Sequence, residues 1–178
     1  VFVSDGVDAS GGEAVVPGIV SSAASRTNLI LANPTRQGVT AAVTVRSGDG
    51  NTSATISDVY VPPYSRQQID GVAAAAGFPT LALGSLSVKA TAGGGRIVPV
   101  ASIIDNASNS FSLVKGRRVG SGAFRALIVP GVARLTGAND TRYRTALRIA
   151  NGASTAAQLQ LVYRYVDEDD FGAPRNAF

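Results

Sequence analysis

Apolar and polar residues alternate along almost the whole chain. In "TNLILANP" (Thr27–Pro34) a period of two puts Thr27, Leu29, Leu31 and Asn33 on one face of an extended strand, with Asn28, Ile30 and Ala32 on the other. The same alternation runs through Thr40–Ser47, Thr52–Pro62, Ser85–Ala92, Arg96–Ile104 and Gln158–Val166. These stretches are rich in Val, Ile, Thr and Tyr, and turn-forming clusters separate them: "NPTRQG", "SGDGN", "VPPYS", "AGGG" and "DNASN". "AGGG" is expected to turn a hairpin. Asp70–Gly77 alone has the look of a helical turn. Short strands at even spacing predict an all-β chain, an antiparallel β-sandwich of Ig-like kind.

The pattern also repeats. "RTNLILAN" (Arg26–Asn33) returns as "RTALRIAN" (Arg144–Asn151), "VVPGI" (Val15–Ile19) returns as "IVPGV" (Ile128–Val132), and "TAAVTV" from Thr40 is echoed by "TAAQLQL" from Thr155. Three blocks in one order make an internal repeat. Leu29 and Leu31, like Leu147 and Ile149, are expected to face a core. Ile30 and Arg148 differ because the other face need not be buried in the same way. Asn33 and Asn151 fall where a strand must end, with side chains suited to bonding turn backbone.

The repeat divides the chain into an N-terminal arm (1–13), a complete sandwich unit (14–114), a linker (115–123) and a partial second unit (124–178). Half a sandwich leaves an apolar face and open strand edges. The chain is then a piece of a longer one, or the half-unit folds onto the first, or a neighbouring chain supplies strands.

Composition narrows the chemistry. The 178 residues are enough to bury a core, and they include no Cys, Met, Trp or His. That removes disulfides, thiolate metal sites and the commonest general base and metal ligand. A chain that opens on Val1 and lacks Met is expected to be a processed product whose leader has gone. No apolar run is long enough to span a membrane as a helix.

Charge is segmented. Residues 1–112 hold 6 basic and 7 acidic side chains, 113–165 hold 9 basic and 1 acidic, and 166–178 hold 1 basic and 4 acidic. Nucleic-acid binding would favour aromatic residues among the basic ones, and only Phe124 and Tyr143 qualify. An acidic protein surface suits the basic stretch better. Arg117, Arg118, Arg125, Arg142, Arg144 and Arg148, with the acidic run Asp167, Glu168, Asp169 and Asp170, are therefore the candidate protein-interface residues.

Taken together, "VPG" (Val129–Gly131), "LTGANDTRYRTALRIAN" (Leu135–Asn151), "VYVPPYSRQQIDGV" (Val59–Val72), "GSLSVKA" (Gly84–Ala90) and "VASIIDNASN" (Val100–Asn109) resemble a β-sandwich repeat of large exported bacterial proteins of largely unassigned function. The resemblance implies an exported β-module, at the cell surface, extracellular or periplasmic, and carries no active-site motif. The first copy departs from it, having only "IVSSAAS" where the second has the "TGANDTRY" loop.

Catalytic candidates are weak. Ser112 and Lys115 have the Ser-x-x-Lys spacing of penicillin-recognising enzymes, but in a strand they point to opposite faces. The oxygen-rich loops at Ser47–Ser53, Asp105–Asn109 and Thr136–Thr141 fit ordinary turn chemistry, and neither they nor Asp167–Asp170 match a calcium-loop spacing. "AGGGR" precedes no helix that could cradle phosphate. Isolated acids beside turns do not suggest a glycosidase pair. The sequons at Asn51, Asn106 and Asn139 matter only in a glycosylating host.

The expectation is a non-enzymatic exported structural or assembly protein without cofactor or metal. It would be a subunit of a surface filament or layer, or an accessory module of an envelope complex, and its partner would be protein rather than nucleic acid. The alternative is an accessory module binding a glycan or Ca²⁺ through the loops around Thr136–Tyr143 and Ser47–Ser53.

Overall fold

The computed structural model describes residues 6–119, 134–136, 138–151, 155–165 and 175–177. Strands appear at five of the six alternating stretches, 27–34, 40–47, 52–62, 85–92 and 96–104, and at further places as well. They are β1 (Val7–Asp8), β2 (Glu13–Ser21), β3 (Ser25–Asn33), β4 (Val39–Ser47), β5 (Ser53–Val61), β6 (Ser65–Ile69), β7 (Leu81–Gly93), β8 (Arg96–Asp105), β9 (Phe111–Lys115) and β10 (Arg117–Val119). One short helix, α1 (Val72–Ala75), falls within the stretch that looked helical. Further on come β11 (Arg134–Thr136), β12 (Arg142–Arg144), β13 (Tyr163–Tyr165) and β14 (Arg175–Ala177). No helix among the described residues is long and apolar enough to cross a membrane.

The first ten strands form two antiparallel sheets of five. One has the order β10-β2-β7-β4-β5; the other has the order β1-β8-β3-β6, with β9 also on β8. Their inner faces share one core. Val16, Val43, Val45 and Val88 come from the first sheet, and Leu29, Leu31, Ile97 and Ala101 from the second. Removing these side chains from water is the main stabilising term. In β3 the alternation is strict: Thr27, Leu29, Leu31 and Asn33 are buried and the residues between them are not.

Two buried polar residues knit the sheets together. The Thr27 hydroxyl accepts from the Val20 N–H and donates to the Val20 carbonyl, both at 2.9 Å, which ties β3 to β2. Asn33 Nδ2 donates to the carbonyls of Gln37 (2.7 Å), Pro62 (3.0 Å) and Val61 (3.3 Å), while its Oδ1 accepts from the Thr35 N–H and hydroxyl. One amide thus closes the β3–β4 crossover against the β5–β6 crossover. Burial without these partners would be costly.

"AGGG" does not turn a hairpin. β7 and β8 lie in different sheets, and Gly93–Gly95 carries the chain from one to the other. Gly93 has φ +89°, and a Cβ there would stand 2.4 Å from the Gly38 carbonyl oxygen. A Cβ on Gly95 would stand 2.3 Å from the Gln37 carbonyl oxygen. The glycines are there because two crossovers meet with no room for side chains.

Residues expected to be arm and linker supply strands as well. β1 pairs with β8, and the Asp8–Arg96 ion pair (3.1 Å) fastens it there. β10 pairs with β2 through Arg117↔Val15 and Val119↔Glu13. Ser112 and Lys115 both belong to β9, where successive side chains alternate between faces, so they do not form a catalytic pair.

Candidate protein interface

The sandwich has two kinds of surface. Its turns are closed on themselves. Asp49 accepts from the Ser47 hydroxyl and from the Asn51 N–H and side-chain amide, bonds that hold its carboxyl below the usual range. Asp105 is likewise lowered, first by the Ser108 N–H, then by the Ser108 hydroxyl and the Ala107 N–H. Such a carboxylate has its lone pairs engaged by its own turn. Asn106 does the same for a neighbouring loop, donating to the Ala23 carbonyl at 2.9 Å. Among the described residues no group of three or more His, Cys, Asp or Glu is placed to hold a metal.

The second kind of surface is the stretch that repeats β3. Leu29 and Leu31 are fully buried, whereas Leu147 is 51% exposed and Ile149 53%. Further along, Leu159 (66%), Leu161 (70%) and Val162 stand in solvent too. Residues 145–151 and 155–162 belong to no strand, although they carry the β pattern. Of the expected strand Gln158–Val166, only Tyr163–Tyr165 pairs, with β14.

In the sandwich the corresponding blocks take their ladders from other strands. β2 pairs with β10 and β7, β3 with β8 and β6, and β4 with β7 and β5. These three strands never pair with one another. Residues 128–162 repeat the blocks of β2, β3 and β4.

Local geometry persists without the sheet. Asn151 Nδ2 donates to the carbonyl four residues on, Thr155, at 2.7 Å, as Asn33 does to Gln37 at the same distance. Where the first copy has a tight turn between β2 and β3, closed by Ser22 N–H to the Ser25 carbonyl, the second has a hairpin of β11 and β12 around Asn139 and Asp140. Both of these residues adopt positive φ, 56° and 57°, a conformation Asn and Asp tolerate better than most.

The repeated stretch rests on the outside of the sandwich. Leu147–Asn151 lies over the outer face of β2, β7 and β4 beside the Ser47–Gly50 turn, enclosing a groove of about 870 Å³. Glu13, Thr44, Arg46, Asp49 and Leu83 line it opposite Arg148. The Arg148 guanidinium donates to the Gly18 carbonyl at 3.4 Å. Gly18 is the extra residue of a β-bulge in β2, with φ +78°, and a Cβ there would meet the Arg148 stem at 2.3 Å. Arg148 stands where β3 has Ile30, so one of the three substituted positions in the repeated octapeptide touches the sandwich.

The candidate interface residues do not form one cluster. Arg117 and Arg118 lie on β10, where Arg118 donates to the Gly11 carbonyl at 3.1 Å. Arg142 and Arg144 lie on β12, with Arg144 in register with Arg134 on β11. Arg148 lies in the groove wall. Arg125, Asp167, Glu168, Asp169 and Asp170 fall outside the described residues, as do the linker beyond Val119 and the repeated "IVPGV". The groove and its Gly18–Arg148 contact were missed by sequence reasoning. The signal was there in the paired "VPG" blocks, but the alternation gave no hint that an arginine from one copy would meet the glycine of the other.

No family model and no curated protein matches the chain. Among solved structures, Thermotoga maritima 1070 is similar, at 14% identity and a TM-score of 0.47, over 62% of this chain and 95% of that one.

Proposed function

We propose that this chain is a non-enzymatic structural or assembly protein that acts by strand completion. In this reading residues 14–114 are an Ig-like sandwich unit and 124–178 a partial second unit of an exported repeat. It serves as a subunit of a surface filament or layer, or as a module docked on a larger envelope complex. The observation that carries the reading is the contrast between fully buried Leu29 and Leu31 and the half-exposed Leu147 and Ile149 of the same sequence block. Apolar residues in β alternation, lacking a ladder, are a receptor for further strands. Arg142, Arg144 and Arg148 set the register of that contact more than its strength.

The test is the mass of the 178-residue chain by light scattering over a wide concentration range, with hydrogen exchange on the same samples. Assembly, alone or with a captured strand, slows exchange of the amides at 145–151. Fast exchange there under every condition overturns the reading.

The groove favours a second reading, a glycan-binding module. Ser85, Ser87, Thr44 and Arg46 offer hydroxyl and guanidinium groups to a polar ligand beside the Ser47–Gly50 turn. Calorimetric titration of the monomer with acidic and neutral oligosaccharides, and with Ca²⁺, separates it from assembly.

A further inference from the structure

The edges of the two sheets differ in how far they invite another strand. Edges are commonly blunted by charge, by a bulge or by brevity. In the first sheet β10 carries Arg117 and Arg118, and β5 is bulged opposite Ala41–Val43, with Asp58 at φ +57°. In the second sheet β6 reads "SRQQI", polar and exposed but for its last residue, and β1 is two residues long and held by the Asp8–Arg96 pair. β9 has none of these devices over Phe111–Leu113. There Phe111 is 65% exposed and Leu113 61%.

Backbone geometry turns that segment outward. Among the described residues β9 pairs with β8 alone. The Asp105 N–H donates to the Ser110 carbonyl at 2.9 Å, and the Gly116 N–H donates to the Pro99 carbonyl at 2.8 Å. Bonded residues alternate along an antiparallel ladder, so Ser112 and Val114 also turn their backbone groups to β8. Phe111 and Leu113 present theirs to the other edge. Their side chains lie on the outer face of the sheet, Phe111 in a row with Ile104 and Arg26, and Leu113 in a row with Ser102 and Asn28. Phe111, Leu113 and half-buried Ile104 thus make an apolar margin beside edge-facing N–H and C=O groups.

We infer that β9 is a dimerisation edge, on which a second copy of this chain docks its own β9 antiparallel about a two-fold axis at Ser112. Such a contact is self-complementary. Phe111 of each copy stands across from Leu113 of the other in a hydrogen-bonded pair. The two side chains meet on the outer face, an aromatic–aliphatic pair that the symmetry repeats. Charge fits the same axis. It carries Lys115, at the end of each β9, past the new ladder to the other copy's Asp105–Ser110 turn, which holds a carboxylate, and it keeps the two lysines apart. The contact is small beside the roughly 1,600 Å² of a standard interface, so the dimer is a weak one that forms as concentration rises. The inference goes beyond the strand-completion reading and stands apart from it, since it uses no residue of 124–178.

The test follows the full chain by analytical ultracentrifugation up to about 1 mM, with residue-resolved hydrogen exchange on the same samples. A monomer–dimer equilibrium is expected. Exchange at the Phe111 and Leu113 amides should slow as concentration rises, while Ser112 and Val114, already bonded to β8, should not change. Leu113→Glu and Phe111→Lys, both at exposed positions, should each weaken the dimer at least about tenfold and leave the melting temperature of the sandwich in place. Combining the two in one chain should restore dimerisation, because this register sets each new carboxylate across from the other copy's new ammonium. A monomer at every concentration overturns the inference. So does a dimer in which the Phe111 and Leu113 amides exchange as before, or protection of those amides already complete in the monomer. A double variant that dimerises no better than the single ones overturns the two-fold at Ser112.

Discussion

Arg26–Asn33 and Arg144–Asn151 share five of eight residues and have opposite fates. The first is β3, hydrogen-bonded on both edges with two leucines in a core. The second, strand only up to Arg144, lies over the outside of the other sheet at Leu147–Asn151 with its apolar side chains half in water. Local propensity is almost the same, so propensity does not decide the difference. In the first copy the ladder bonds come from β6 and β8, distant in the chain, so tertiary neighbours outweigh propensity there.

Core truncation gives the largest separation of the two regions. Leu29→Ala or Leu31→Ala should destabilise the fold by about 2–5 kcal/mol in urea melts, the range for a fully buried Leu. Leu147→Ala and Ile149→Ala should change it by no more than about 0.5 kcal/mol in the unassembled chain. Similar costs at the two places would mean that the second stretch is buried in solution. The amides come next. Asn33→Ala leaves buried carbonyls without a donor and should cost about 1–3 kcal/mol. Asn151→Ala, in an exposed turn, should fall within about 0.5 kcal/mol.

A smaller effect tests the contact between the regions. Gly18→Ala should cost about 1–2 kcal/mol from the left-handed backbone alone. It should also expel the Arg148 side chain, so the cost should fall in an Arg148→Ala background. Strict additivity in that double-mutant cycle would mean that Arg148 does not rest on Gly18 in solution.

Acid gives the smallest and most general difference. The Ser10 hydroxyl, and after it the Arg96 guanidinium, holds Asp8 below the usual carboxylate range, and Asp49 and Asp105 are lowered by their own turns. With the folded pKa below the unfolded one, each contributes stability present in full above the ordinary aspartate range. That stability is lost as pH falls through the folded value. All three lie in the 6–119 sandwich, so thermal melts should decline together with acid, and Asp105→Asn should flatten the decline. A melting curve unchanged from neutral to strongly acid pH would contradict the turn geometry.

The strands of the sandwich were legible because their cause is local. A period of two between Gly- and Pro-marked turns is visible along the chain, and it placed β3, β4, β5, β7 and β8 within a few residues. Val7–Asp8 and Arg117–Val119 escaped notice because two or three residues show no period. They are strands only because β8 and β2 offer edges. At the candidate interface the basic residues could be counted, but their scatter over β10, β12 and the groove wall depends on the folded chain.

By itself, then, the sequence determined the alternation, the repeat, the positions of its turn amides and the segmentation of charge, all carried by neighbouring residues. Only tertiary structure decided which alternating stretches become strands, that three glycines carry the chain between sheets, and that Arg148 meets Gly18. A β-strand takes its hydrogen bonds from residues far away in the chain, so two closely similar octapeptides can be buried in one place and half-exposed in another.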